Sequence, residues 1–307
     1  MSKKVLIAVV GPTGIGKTKL AISLAQHFNT EILSADSRQF YTEMSIGTAV
    51  PSKEELQAAP HHFIQHKSIH ESYSVGDFER DALLLLENLF KTRDILIMVG
   101  GSGLYVDAVV DGLDDFPEVD AEIRIALNTK LKEEGLQALQ KELKIADPQY
   151  YQKVDSENPH RLIRALEICR GTGRPYSTFL GSEKASRPFK TVYLGITADR
   201  DVIYGRINKR VDQMIENGLL EEAKNLYAHK SRNALLTVGY RELFAYFDGK
   251  CDLDFAIEEI KKNTRRFAKR QLTWYRKNES ILWVQHDAPL EEIIEKLQHR
   301  IQTVENA

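Results

Sequence analysis

The first pattern in the chain is Val5-Leu6-Ile7-Ala8-Val9-Val10, six apolar residues in a row and rich in β-branched side chains. A short run without polar alternation predicts a strand buried on both faces, as in parallel sheets. After a glycine-rich turn the period changes. Leu20, Ala21, Leu24, Ala25 and Phe28 recur every three or four residues, which predicts a helix over Lys17–Phe28. Further strands are predicted at Glu31–Ser34, Ile95–Val99, Thr191–Ile196 and Ile281–Val284, and a helix at Val75–Phe90. Strands alternating with helices predict an α/β fold, a parallel sheet flanked by helices. Between Phe116 and Pro188 no strand pattern occurs, and Leu127, Leu131, Leu136, Leu139 and Leu143 keep helical spacing, as do Leu162, Ala165, Leu166 and Cys169. Residues 116–188 are therefore expected to form an all-helical insertion domain, ending after the turn residues Gly171 to Pro175, with 1–115 and 189–307 as the α/β core. One long loop is expected, Gly47–His61.

Composition narrows the class. The chain has 307 residues, 42% hydrophobic and 28% charged, enough to build a core without disulfide or metal support. Cys169 and Cys251 stand alone, which excludes a zinc module and suits a reducing compartment. His61, His62, His66 and His70 lack metal-ligand spacing. A net charge of −2 predicts no general affinity for polyanions, so nucleic-acid binding would have to be local. No apolar run approaches the roughly 20 residues of a membrane span. The start, Met1-Ser2-Lys3-Lys4, leads into a run too short for a signal peptide. A cytoplasmic protein is expected, and a monomer, since no heptad pattern extends far enough to argue assembly.

The candidate chemistry begins at Gly11-Pro12-Thr13-Gly14-Ile15-Gly16-Lys17-Thr18, a GxxxxGK[ST] pattern between a strand and a helix. Glycines at 11, 14 and 16 permit a tight loop whose N–H groups, with the helix N-terminus, face an anion. Lys17 supplies a point charge to phosphate oxygens and Thr18 a hydroxyl to Mg²⁺. The pattern predicts a di- or triphosphate ligand and does not by itself specify ATP. Ile95–Val99 ends in Gly100-Gly101-Ser102-Gly103 without an acid, so the candidate acid is Asp36, which follows the second strand. At that edge it can assist a metal, accept a proton from a nucleophile, or cap the next segment. Ser102 offers a hydroxyl to the same ligand or a helix cap. From Lys261 to Lys277 eight basic residues occur with no acid, Lys269 and Arg270 among them, beside an apolar stripe of Ile257, Ile260, Thr264, Phe267, Gln271 and Trp274. A helix is predicted that packs by this stripe and turns its charges to a nucleic-acid backbone.

Several blocks, read in order along nearly the whole chain, resemble the tRNA dimethylallyltransferase family in its compact bacterial form. They are the glycine loop, Ser34-Ala35-Asp36-Ser37-Arg38-Gln39-Phe40-Tyr41, Ile46-Gly47-Thr48-Ala49, Val99-Gly100-Gly101-Ser102-Gly103-Leu104-Tyr105, Arg161-Leu162-Ile163-Arg164-Ala165-Leu166-Glu167, Val238-Gly239-Tyr240-Arg241-Glu242 and Lys269-Arg270-Gln271-Leu272-Thr273-Trp274-Tyr275-Arg276. The resemblance implies transfer of a dimethylallyl group from dimethylallyl diphosphate to N6 of the adenosine 3′ of the anticodon in tRNA. It implies that Gly11, Thr13, Gly14, Gly16, Lys17 and Thr18 hold the diphosphate, with Mg²⁺ on Thr18. Asp36 would be the base, and Ser102 and Arg210 would lie near the leaving group. Asp36, Ser37, Arg38, Gln39, Arg161, Arg164, Gly239, Tyr240 and Arg241 would contact the tRNA anticodon stem-loop, in addition to Lys269 and Arg270 of the basic helix. Where the family usually has Asn-Asp before the Pro-x-Arg of the insertion, this chain has Glu157-Asn158. Two other function classes share some of these features: an ATP-dependent small-molecule kinase and a nucleotide-switched RNA-binding module.

Overall fold

The computed structural model describes residues 4–181 and 185–306. The expectation about a signal peptide rests partly on Met1, Ser2 and Lys3, which lie outside the described residues. In chain order the elements are β1 (Val5–Val10), α1 (Lys17–Phe28), β2 (Ile32–Ser34), α2 (Lys53–Ala58), β3 (His61–His62), α3 (Val75–Leu89), β4 (Ile95–Val99) and α4 (Gly103–Asp111). Four helices follow, α5 (Ala121–Glu134), α6 (Leu136–Ala146), α7 (Pro148–Tyr151) and α8 (Pro159–Thr172). The chain then returns to strand with β5 (Lys190–Thr197), α9 (Arg200–Glu216), α10 (Leu219–Leu226), α11 (Tyr240–Phe247), α12 (Leu253–Tyr275), β6 (Leu282–Gln285) and α13 (Leu290–Asn306).

All six strands pair in parallel, in the order β3-β2-β4-β1-β5-β6. β1 is central and none of its six residues has exposed surface. Leu6, Ala8 and Val10 enter one apolar layer with Leu96, Met98 and Phe78, while Val5, Ile7 and Val9 enter the opposite layer with Leu24, Ile97 and Leu194. That alternation is the period of a strand covered on both faces. Because every strand runs the same way, the loops after β1, β2, β4 and β5 emerge at one edge of the sheet, which is where such folds place their ligands.

The chain divides into two compact units, Met1–Asp111 with Ser186–Ala307, and Gly112–Ala185. These bounds lie a few residues before the expected 116 and 188. Within the second unit, Leu127, Leu139, Leu143, Leu162 and Leu166 form a core with no exposed surface. Glu167 is buried there, bonded by Arg124 through Nε at 2.9 Å and Nη2 at 2.6 Å and by Arg164 at 3.1 Å. Asn158 caps α8, its side chain accepting from the N–H groups of His160 and Arg161. The Glu157-Asn158 departure therefore keeps a strong N-cap residue where the helix needs one.

The Gly47–His61 segment is more structured than expected. Ser52 and Glu55 close a capping box that starts α2, and His61-His62 adds a two-residue edge strand. Two strand residues are too few for any periodicity to register. Among the described residues no helix is long and apolar enough to cross a membrane. Leu96→Ala removes side-chain volume from the fully buried layer under β1. It should lower unfolding free energy by about 2–5 kcal/mol in urea titrations.

Candidate active site

The loop after β1 folds where its glycines allow. Gly11 has φ 144°, and a Cβ there would meet the Ile196 carbonyl oxygen at 2.7 Å, so only glycine lets the loop pass β5 this closely. Gly16, at φ 108°, occupies the cap position from which α1 begins. Arg206 of α9 braces the loop from outside, its Nε donating to the Gly14 carbonyl at 2.9 Å. Lys17 Nζ donates to the Pro12 carbonyl at 2.9 Å. Thr13, Gly14, Gly16, Lys17 and Thr18 line a cavity of about 580 Å³ that also receives Asp36, Gly100, Lys209 and Arg210.

Asp36 arrives at this edge because β2 ends at Ser34 and the next peptide still follows the sheet, Ala35 N–H donating to the Val99 carbonyl at 2.8 Å. One carboxylate oxygen, Oδ1, accepts from Arg38 N–H at 3.1 Å, so Asp36 also closes the turn. Arg38 anchors that turn by donating to the carbonyls of Asn233 and Ala234, both at 3.0 Å. Gln39 is nearly buried, and its amide donates to the carbonyls of Thr48 and Ala49. A second cavity of about 360 Å³ is lined by Ser37, Arg38, Ser102, Gly239, Arg241, Phe267 and Arg270, among others. Thr13, Asp36 and Arg210 line both cavities and form the wall between them.

Lys17 and Arg210 both lie within reach of the Asp36 charge, and Arg210 also feels Glu55. Burial lowers the Lys17 ammonium to about 8, against the opposing pull of Asp36 and with a smaller downward push from Arg210. Burial likewise pushes the Arg210 guanidinium down while Asp36 opposes the shift. Such a site disfavours its own charges until an anion enters.

Other expected contacts divide differently. Tyr240 has no exposed surface, so its side chain does not reach an RNA; its hydroxyl donates to Glu222 Oε1 at 2.6 Å. The same carboxylate of Glu222 accepts the N–H groups of Ser45, Ile46 and Gly47, at 3.0, 2.8 and 2.9 Å. The Ile46 and Tyr240 blocks are thus two halves of one clamp. Lys269 and Arg270 do not share a face. Arg270 lines the second cavity, whereas Lys269 lies in a separate groove with Arg200, Tyr204 and Arg276. The expected acid-free basic helix is also partly neutralised: Lys261 pairs with Asp212 and Glu258, and Lys262 with Glu259. Its buried stripe differs too. Ala256, Ile260, Ala268, Gln271 and Tyr275 are buried, while Phe267 and Trp274 stay 38% and 42% exposed. In the second unit Arg161 is exposed, and Arg164 bonds Glu167 and lies over the Phe116 ring at 4.9 Å.

Lys17 gives the cavity a definite pH signature. Below about pH 8 it is an ammonium; above that, binding an anion requires taking up a proton. Affinity for inorganic diphosphate, measured by calorimetry, should fall by up to about tenfold per pH unit above pH 8. Lys17→Met should bind weakly and show little slope in the same window.

Comparison with known proteins identifies the family. A family model described as IPP transferase matches residues 39–278. The chain is 60% identical over 298 residues to a tRNA dimethylallyltransferase of Christiangramia forsetii, covering 97% of this chain and 99% of that one. The solved structure of a full-length tRNA isopentenylpyrophosphate transferase from Bacillus halodurans is 39% identical, with TM-score 0.72, over 99% of this chain and 97% of that one. A eukaryotic dimethylallyltransferase acting on tRNA superposes with TM-score 0.78 at 28% identity, over 92% of this chain and 74% of that one. With a parallel sheet, a glycine loop at its edge and a match across most of its length, the chain belongs to the IPP transferase family.

Proposed function

We propose that the protein transfers a dimethylallyl group from dimethylallyl diphosphate to N6 of the adenosine 3′ of the anticodon in tRNA, releasing diphosphate. The observation that carries the mechanism is the shared wall of Thr13, Asp36 and Arg210 between two cavities. One cavity offers the glycine loop and Lys17 to a diphosphate. The other, entered past Arg38, Arg241 and Arg270, takes the everted base of an RNA loop. Its basic entrance, with Phe267 partly exposed there, suits a single-stranded RNA segment.

The chemistry follows from the contents of the wall. The exocyclic amine of adenine is a weak nucleophile because its lone pair is delocalised into the ring. As N6 attacks C1 of the allylic group, the C1–O bond breaks and its electron pair leaves with the diphosphate. The N6 proton passes to the Asp36 carboxylate, a general-base contribution of about 10²–10⁴-fold. Lys17, the amides of Gly14 to Thr18 and Arg210 hold the charge that grows on the leaving oxygens. Ser102 lines the base-side cavity and offers a hydroxyl to the wall. Mg²⁺ suits the donor set, a Thr18 hydroxyl beside ligand phosphate oxygens in a cavity that also holds carboxylates, and when bound it would add positive charge to the diphosphate. We read the enzyme as a monomer and as cytoplasmic, the second supported by a tRNA substrate. A kinase shares the glycine loop, but the relatives reported above are dimethylallyl- and isopentenyl-group transferases, not phosphoryl transferases, and that reading is set aside.

Incubation of tRNA with the protein and dimethylallyl diphosphate should add one five-carbon group to a single adenosine, seen by mass spectrometry of the digested nucleosides. Asp36→Ala should lower turnover by about 10²-fold or more while tRNA still binds; unimpaired turnover would remove Asp36 as the base. Arg270→Ala should weaken tRNA binding and reduce the slope of log affinity against log salt by about one. An unchanged slope would return Arg270 to an ordinary solvated role.

A further inference from the structure

Gln271 belongs to the basic helix, yet its side chain is only 6% exposed and lies between the two glycine turns. Its Oε1 accepts the Thr13 N–H at 2.8 Å and its Nε2 donates to the Gly101 carbonyl at 2.9 Å. Both ends of the amide are engaged. Turning it over would set an NH₂ group against an N–H and an oxygen against a carbonyl, so only one orientation is satisfied. The space it fills is left by a glycine. A Cβ on Gly101 would lie 2.2 Å from Gln271 Nε2 and 3.5 Å from Lys17 Nζ, so the amide and the ammonium share one gap.

The neighbouring residues of α12 fasten the same turn. Tyr275 donates its hydroxyl to the Gly100 carbonyl at 3.4 Å, and Trp274 Nε1 donates to Asp107 Oδ2 at 2.8 Å. The Trp274 ring occupies the place of a Gly103 Cβ, with Cδ1 2.3 Å away from it. Thr13 and Lys17 sit at either end of the glycine loop, and Gly100 and Lys17 line the same cavity. A shift of the loop relative to the second turn would therefore move Lys17 relative to Asp36.

We propose that Gln271 is a positioning residue for the transfer reaction: its amide sets the separation of the Gly11–Thr18 loop and the Gly100–Gly103 turn, and so holds Lys17 against the diphosphate. The inference rests on the diphosphate reading of the first cavity. Its experiment is steady-state kinetics of the full chain with dimethylallyl diphosphate and an anticodon stem-loop RNA, from about pH 6 to 10.

Gln271→Met keeps the volume and removes both hydrogen bonds. It should raise KM for dimethylallyl diphosphate about tenfold or more, with KM for RNA unchanged. Gln271→Glu still accepts from Thr13 but brings a negative charge beside Lys17. It should move the high-pH rise of that KM, set near pH 8 by Lys17 in the native protein, to higher pH. This limb reports how near position 271 lies to Lys17, and the KM of the Met variant reports the positioning itself. Gln271→Asn retains the amide and is too short to span both partners. It covers the case in which the other variants fail to fold, and should lose about tenfold in kcat/KM at a nearly unchanged melting temperature. Wild-type KM in the Met variant, an unmoved limb in the Glu variant, or wild-type kcat/KM in the Asn variant would each overturn the proposal. If the native protein forms no five-carbon adduct, the transfer reading fails separately. The same variants must then still weaken the binding of inorganic diphosphate, or the positioning role fails with it.

Discussion

The constraint on which this site depends is the desolvation of Lys17 and Arg210 beside the Asp36 carboxylate, with Glu55 also acting on Arg210. Bringing two cations to the sheet edge costs free energy, as the downward shifts of both groups record. Asp36 offsets only part of that cost. In the proposed reading an entering diphosphate would supply the missing negative charge, so that binding and pre-organisation arise from the same imbalance. Hydrogen bonds brace the elements that carry these groups. Arg206 fixes the glycine loop from outside, Arg38 pins the turn that carries Asp36, and Gln271 ties the loop to the Gly100–Gly103 turn.

Much of this was legible in the sequence where the signal is local. The glycine loop follows from eight adjacent residues, and β1 from six uninterrupted apolar ones that turn out to have no exposed surface. Asp36 could be singled out because a strand end in a parallel sheet has a known address. What the sequence did not show were partners far apart in the chain. Gln271 reads as one member of an apolar helical stripe, and nothing in its neighbourhood announces that Thr13 and Gly101 are its partners. Glu222 is an unremarked acid on a short helix until the fold brings three backbone N–H groups and the Tyr240 hydroxyl to it. Arg206 likewise carries no local signal, and its bond to the Gly14 carbonyl required the fold.

The basic helix shows how a pattern can be right in kind and wrong in detail. Adjacent residues on a helix point about 100° apart, so Lys269 and Arg270 cannot serve one groove in the same way. The structure sends Arg270 to the base-side cavity, Gln271 into the core and Lys269 to another groove. Acids that a count along the segment could not see, Asp212 on α9 and Glu258 and Glu259 one turn earlier, neutralise its first two lysines. The positive charge available to an RNA is therefore concentrated toward the C-terminal half of the helix, beside the exposed ring of Phe267.

A glycine loop of this kind is indifferent to which bond of its ligand breaks. It holds diphosphate oxygens whether the reacting centre is phosphorus, as in a phosphoryl transfer, or the carbon esterified to the far oxygen. The loop thus leaves the reaction open, and the choice lies with the second cavity. Here that cavity is lined by Arg38, Arg241, Arg270 and a partly exposed aromatic ring, Phe267, and it shares the Asp36 carboxylate with the first. In the mechanism proposed above, an acceptor admitted there approaches the esterified carbon from the side of Asp36, with the leaving oxygens held by Lys17 and Arg210. On that proposal the same phosphate-binding device serves carbon–oxygen cleavage, because the residues that line both cavities, Thr13, Asp36 and Arg210, set what lies opposite the leaving group.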